Sequence, residues 1–238
     1  MNTRRKFLLH GSMATTALLI ADPFKSLANA LNPVLGYNIH NNTLVLVHTG
    51  NFNDGAEHQT IQQVNSLKNK TGNLLHVHTG DQQTAMKPDV SLHTEPGNGL
   101  NQPDFQIIYK GGIKTGIIKA MAGEHDTLER INRLAAMLKK EKNCQVVICL
   151  SQLGYKNRSA IDDRKLALGS ANLDIIISGH PVNYPSQPFI SHNSQQEEVI
   201  IHATAGRDTA FSNIEIGFDN QLNKHVVSFN NLTMSMAG

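Results

Sequence analysis

The stretch LDIIISGHPVNYP, Leu173 to Pro185, decides how the rest of the chain reads. A run that is apolar but for Asp174 extends from Leu173 to Ile177 and stops at Ser178-Gly179-His180. Such a short, β-branched run bounded by turn residues reads as a buried strand. A strand that ends on Gly-His at its carboxyl edge is where an α/β protein mounts a metal ligand or a catalytic base. One imidazole holds no cation durably, so His180 needs partners from other strand ends.

Other strand candidates end in polar groups too. Thr43 to Val47 leads into His48-Thr49-Gly50-Asn51, with Asn53 and Asp54 beyond. Leu74 to His78 leads to Gly80-Asp81, and Gln145 to Leu150 to Ser151-Gln152. In a sheet with parallel strands these ends lie side by side, so Asn51, Asp81, Gln152 and His180 are expected to converge. Between them, Ile61–Leu67, Leu128–Leu138 and Ile161–Leu168 carry helical spacing. Lys110-Gly111-Gly112 between two apolar runs signals a hairpin. The segments Val199–His202, Phe211–Phe218 and Val226–Phe229 close the chain as a β-rich meander. A βαβ middle with a β-rich end predicts a mixed sheet layered with helices. The stretch 82–103 has little periodicity, and a loop of that length is usually functional or disordered.

The order of these strand ends, with CLSQLGY, DRKLALGSANLDIIISGH and EEVIIHATAGRDTAFSNIEIGF, resembles the 5'-nucleotidase branch of the calcineurin-like metallophosphoesterases. The resemblance is strongest from Gly111 to Phe218. It implies an α/β fold, a four-layer αββα metallophosphoesterase-like sandwich with mixed sheets. It also implies two divalent metals that clamp a phosphate ester, activate a water and stabilise the transition-state charge.

Matched position by position, the ligand set is degenerate. The family's Asp-x-His falls on Asn51-Phe52-Asn53, so both ligands become amides. Its Gly-Asp falls on Gly80-Asp81 and keeps the bridging carboxylate. Its Ser-His-Leu-Gly falls on Ser151-Gln152-Leu153-Gly154, an amide for an imidazole. Its Gly-His-x-His falls on Gly179-His180-Pro181-Val182, losing the second histidine. No counterpart of its Gly-Asn-His-Asp/Glu, which supplies the catalytic histidine, is found in residues 82–103. The resemblance therefore leaves Asp81, Gln152 and His180 as ligands of at most one weakly bound divalent metal (Mn, Zn, Fe or Mg). The expected ligand is a phosphate ester or nucleotide. A separately encoded nucleotide-binding C-terminal domain is a possible partner, because the chain ends soon after the sandwich.

Other residues compete for these roles. Asp54 and His58 are four apart, so a helix would put them on one face as replacement ligands; Asp54-Gly55 also reads as a turn or cap. Gly123-Glu124-His125-Asp126 imitates the missing motif but directly precedes a helix, where Asp126 to Glu129 reads as a capping box. His76 and His78 share one strand face and read as packed, hydrogen-bonded histidines.

The first thirty of the 238 residues read as a separate unit. Thr3-Arg4-Arg5-Lys6-Phe7-Leu8 resembles a twin-arginine export motif, and Ala28-Asn29-Ala30 makes a cleavage site. The apolar part between is too short and polar to span a bilayer. The expected organisation is thus a signal peptide over 1–30, a metallophosphoesterase domain over 31–238 and a periplasmic location. Four of the 21 basic residues and one of the 19 acidic ones lie in the first thirty, so the remainder carries a net charge of −1. That balance gives no reason to expect nucleic acid as a partner. Cys144 and Cys149 would lie about 16 Å apart along one strand, too far for a disulfide.

Overall fold

The computed structural model describes residues 43–51, 56–80, 85–92, 104–156, 160–180, 184–185, 187–203, 209–218 and 224–233. Two sheets face each other. The first holds five strands in the order β11-β10-β1-β2-β3: β1 (Thr43–Thr49), β2 (Leu74–His78), β3 (Val90–Ser91), β10 (Thr209–Phe218) and β11 (Lys224–Thr233). The second holds six in the order β4-β5-β6-β7-β9-β8: β4 (Phe105–Lys110), β5 (Ile113–Ala120), β6 (Val146–Ser151), β7 (Ile175–Ser178), β8 (Phe189–His192) and β9 (Glu198–Ala203). Strands β1, β2 and β3 run parallel, as do β5, β6, β7 and β9; the pairs β1–β10, β10–β11, β4–β5 and β8–β9 are antiparallel. Both sheets are mixed, as expected.

Leu44, Leu46, Leu75, Val77, Ile214 and Ile216 of the first sheet meet Ile117, Ile148, Leu150, Ile175, Ile177 and Ile200 of the second in one inter-sheet core. The opposite faces are covered by helices. Val64 and Leu67 of α1 (Ala56–Lys70) pack on Val45, Val47 and Phe211. Ile131, Leu134 and Leu138 of α2 (Thr127–Lys140), with Leu166 of α3 (Asp163–Gly169), pack on Ile118, Val147, Cys149 and Ile176. Four layers, αββα, follow directly. Strands buried on both faces need side chains apolar on both, which is why β6 and β7 read as unbroken Val/Ile/Leu runs. Each fully buried Ile or Leu contributes on the order of 1.5–3 kcal/mol by leaving water.

The hairpin turn between β4 and β5 needs positive φ at both central residues, and Gly111 (+56°) and Gly112 (+83°) supply it. Both cysteines are free and buried.

Local expectations fail at three places. Asp126 does not cap α2 with its side chain: it sits in the left-handed region at φ 55° and makes no capping bond. Glu124 pairs with Arg130 instead, and Thr127 Oγ1 donates to the Glu124 carbonyl. The β-rich end is not one meander, because β9 lies between β7 and β8 in one sheet while β10 crosses to the other. Finally, the irregular stretch contains β3, which extends β2 in parallel. Among the described residues, no helix is long and apolar enough to cross a membrane.

Candidate functional site

Parallel strands bring their carboxyl ends to one edge in each sheet, and the two edges meet. Gly179, just past β7, lies so close to the first sheet that a Cβ there would come within 3.0 Å of the Thr79 carbonyl and 2.8 Å of Leu92. Thr79 follows β2, and its amide donates to the Thr49 carbonyl at the end of β1 (2.9 Å). Asn51 follows two residues later and is exposed; its Oδ1 would stand 2.7 Å from a Cβ on Gly80. Both glycines are therefore required by close approach of backbone.

The second sheet delivers Gln152 and His180. The Gln152 amide donates to the Ala120 carbonyl (2.8 Å), and the Gly179 amide to the Ser151 carbonyl (2.8 Å). Gly154, at φ +74°, packs beside His180, whose Cγ would lie 3.9 Å from a Cβ at that position. The His180 ring is exposed at this edge. Asn51, Gly80, Gln152 and His180 thus follow strand ends at one edge of the molecule. Asn53, Asp54, Asp81 and Val182 lie outside the described residues.

His58 stands elsewhere in the fold's logic. It is exposed in the first turn of α1 and contacts Gln62 Nε2 at 3.0 Å. His125 is also exposed, in the turn before α2. His76 and His78 are buried on the α1 side of the first sheet and share the Thr49 hydroxyl, at 2.9 and 3.0 Å. Among the described residues, no group of three His, Cys, Asp or Glu side chains could hold a metal ion. Neutral amides are poor donors for a divalent cation, so Asn51 and Gln152 do not fit the two-metal centre.

Sequence reading missed two features. One is the end of β3. The Leu92 amide donates to the His78 carbonyl (2.8 Å), and the Leu92 side chain lies against Gly179, so β3 ends at the same edge. The next residue in sequence is His93, itself outside the described residues. A strand of two residues carries no periodicity, which hid it. The other is Asp163, a fully buried carboxylate at the start of α3 that accepts from the Ser151 and Tyr184 hydroxyls. Burial pushes its pKa up, opposed by those two bonds and by Ser178.

A cleft of about 250 Å³ lies at the opposite edge, lined by Lys139, Asn172, Asp174, Glu197, Glu198 and Lys224. Its central carboxylate, Asp174, is already taken by Lys139, Lys224 and the Val147 amide. That saturation makes it a structural junction rather than a receptor.

No protein-family model matches the sequence, and no curated protein does. Solved structures do. A 5'-nucleotidase precursor from Thermus thermophilus superposes with a TM-score of 0.57 at 15% identity, over 81% of this chain and 54% of that one. The NAD nucleotidase of Haemophilus influenzae gives 0.55 at 13%, over 81% and 50%. A phosphatase from Mycoplasma pneumoniae gives 0.51 at 9%, over 81% and 94%. This chain therefore spans about half the length of the two nucleotidases and nearly all of the phosphatase. Two mixed sheets, their helical covers and these superpositions together show that the chain has the fold of these nucleotidases and this phosphatase.

Proposed function

We propose that the protein is an exported, 5'-nucleotidase-like phosphoester hydrolase by descent, whose catalytic centre is reduced to one weak metal site. Residues 1–30 are its twin-arginine signal and 31–238 its catalytic-type domain, with the periplasm as destination. The observation that supports the reading is the shared edge: Gly154 beside His180, Gly179 on Thr79 and Asn51 on Gly80 lie where the strand ends of the two sheets meet. The donors on that layout are depleted. Asp81, Gln152 and His180 would offer one carboxylate, one amide oxygen and one imidazole to a single divalent ion. Such an ion would polarise a phosphate oxygen when bound. The nucleotidases among the structural neighbours favour a nucleotide or other phosphate monoester as ligand.

No counterpart of the family's catalytic histidine is found in residues 82–103, so general acid help for the leaving group is expected to be lost. Loss of general acid catalysis is worth about 10²–10⁴-fold. Elemental analysis of protein purified without chelator, combined with turnover of 5'-nucleotides and an aryl phosphate, tests the reading. At most one metal per chain and very slow hydrolysis, abolished by Asp81→Asn with His180→Ala, is expected. Two metals retained through dialysis, or turnover at ordinary enzyme rates of roughly 1–10³ per second, would overturn it.

A second reading rests on the amides at Asn51 and Gln152. They remove charge from the site without removing hydrogen-bonding capacity, which suits a non-catalytic phosphate-binding or protein-docking scaffold. Phosphate or nucleotide binding with no turnover at all would select it.

A further inference from the structure

Asp163 stands apart from the ordinary structural carboxylates of this fold. It is fully buried, and its neighbours are hydroxyls rather than cations. Ser151 donates to Oδ1 and Tyr184 to Oδ2. The Ser178 hydroxyl lies within hydrogen-bonding reach of both the carboxylate and the Tyr184 oxygen. Burying a carboxylate without a counter-ion is unfavourable by several kcal/mol unless several donors meet it. Here the donors come from the ends of β6 and β7 and from the segment before β8.

Both serine hydroxyls also hold backbone. Ser151 Oγ accepts from the Leu153 amide (3.1 Å) and Ser178 Oγ from the His180 amide (3.4 Å). The Asp163 amide itself donates to the Gly154 carbonyl (3.0 Å). Residues 151–154 and 178–180 are thus tied to one residue from both sides, and Gly154 is the residue against which His180 packs.

We infer that Asp163 is a positioning residue, whose buried carboxylate sets the two turns that present Gln152 and His180 to a shared ligand. The inference deepens the reading of the site given above, and only its ligand-binding arm rests on it. Helix α3 needs no such acid: Asp162 already caps it, accepting from the Lys165 amide at 2.8 Å. Nor does a core require it, since an apolar side chain would fill the space at lower desolvation cost.

The test uses the full chain labelled at histidine and glycine. In wild type, a nuclear Overhauser contact joins the His180 ring to the Gly154 α-protons without any metal. Manganese(II) titration then broadens the His180 signals. Asp163→Asn is expected to melt cooperatively, to lose the His180–Gly154 contact and to weaken manganese-induced broadening at least tenfold. Tyr184→Phe and Ser178→Ala should each loosen the same contact partially, and they decide the matter if Asp163→Asn does not fold. Folded variants that keep the wild-type contact and the wild-type manganese response would overturn the inference. Wild type with the contact but no manganese response would overturn the metal site while leaving the positioning role standing.

Discussion

The imidazoles of His48 and His202 meet edge to face across the two sheets, their ring centroids 5.4 Å apart and their planes at 86°. Both are essentially inaccessible to solvent. His48 Nε2 reaches Thr79 Oγ1 at 2.7 Å, but its Nδ1 and both nitrogens of His202 have no partner within the described residues. Phe229 closes the other side of His202 at 5.1 Å. Burial, then the neighbouring His202, His78 and His76, hold the His48 pKa well below 6.5; burial pushes His202 down to about 3.

An acid-sensitive fold follows. His76, lowered to about 3 by burial and then by Lys68, adds a third such group on the other face of the first sheet. Each imidazole is neutral in the fold and takes up a proton near pH 6.5 once unfolded. Stability is therefore complete above pH 6.5 and is lost as pH falls toward 3, by about 1.4 kcal/mol per pH unit for each group. Chemical denaturation at pH 7.5, 6.0 and 5.0 should show this decline. His202→Phe should flatten it, and should raise stability at pH 7.5 by removing two unpaired nitrogens. A melting profile indifferent to pH between 7.5 and 5 would sink the prediction.

Gly179→Ala tests the junction between the sheets. Its added methyl would meet Leu92 at 2.8 Å and the Thr79 carbonyl at 3.0 Å, and the carbonyl belongs to backbone that cannot swing aside. Overpacking of this kind is unfavourable by about 1–3 kcal/mol. Gly72→Ala meets nothing within 4 Å and serves as the control, expected to be neutral or slightly stabilising. Equal melting temperatures for the two variants would show that the sheets do not close as described.

How much of this was legible beforehand depended on where the information lies. Strands β6 and β7 were plain because burial on both faces imposes an apolar run. Their shared carboxyl edge was plain too, since parallel order alone brings Gln152 and His180 together. Strand β3 has two residues and β8 reads Phe-Ile-Ser-His, half-buried throughout, so their pairing is set by neighbours rather than by pattern. Asp126 preceded a helix in a good capping sequence, yet Glu124 and Arg130 drew the local hydrogen bonds another way. Asp163 read merely as the start of a helix. Its partners Ser151 and Tyr184 are 12 and 21 residues away in sequence, and only the folded chain unites them.

Export by the twin-arginine route rests on Arg4-Arg5 with Phe7-Leu8 and on Ala28-Asn29-Ala30. Lysine keeps the charge but not the planar, forked guanidinium that a motif-reading receptor distinguishes. Replacing both arginines with lysine should leave precursor in the cytoplasm, and N-terminal sequencing of the exported wild type should begin at Leu31. Export of the double variant at the wild-type level would exclude this route.

The opposite edge of the molecule depends on Asp174. Its carboxylate accepts from Lys139 of α2 at 2.7 Å and from Lys224 of β11 at 3.2 Å, while the Val147 amide of β6 donates to it at 2.7 Å. One side chain therefore joins a helix cover, the second sheet and, through Lys224, the first sheet. The site is 13% exposed on the Asp174 side, so its bonds are only partly screened. Asp174→Ala leaves the buried Val147 amide without its acceptor and two ammonium groups without their counter-ion, and should destabilise the fold by about 2–3 kcal/mol. Lys224→Met removes only the more distant of the two ammonium partners and should change stability by less than about 1 kcal/mol. Added salt should narrow the gap between wild type and Lys224→Met while leaving most of the Asp174→Ala deficit, because the Val147 bond is not screened by ions. Urea denaturation of the three proteins at low and high salt measures all of these. If Asp174→Ala proves no less stable than Lys224→Met, the carboxylate does not tie the two sheets together at this edge.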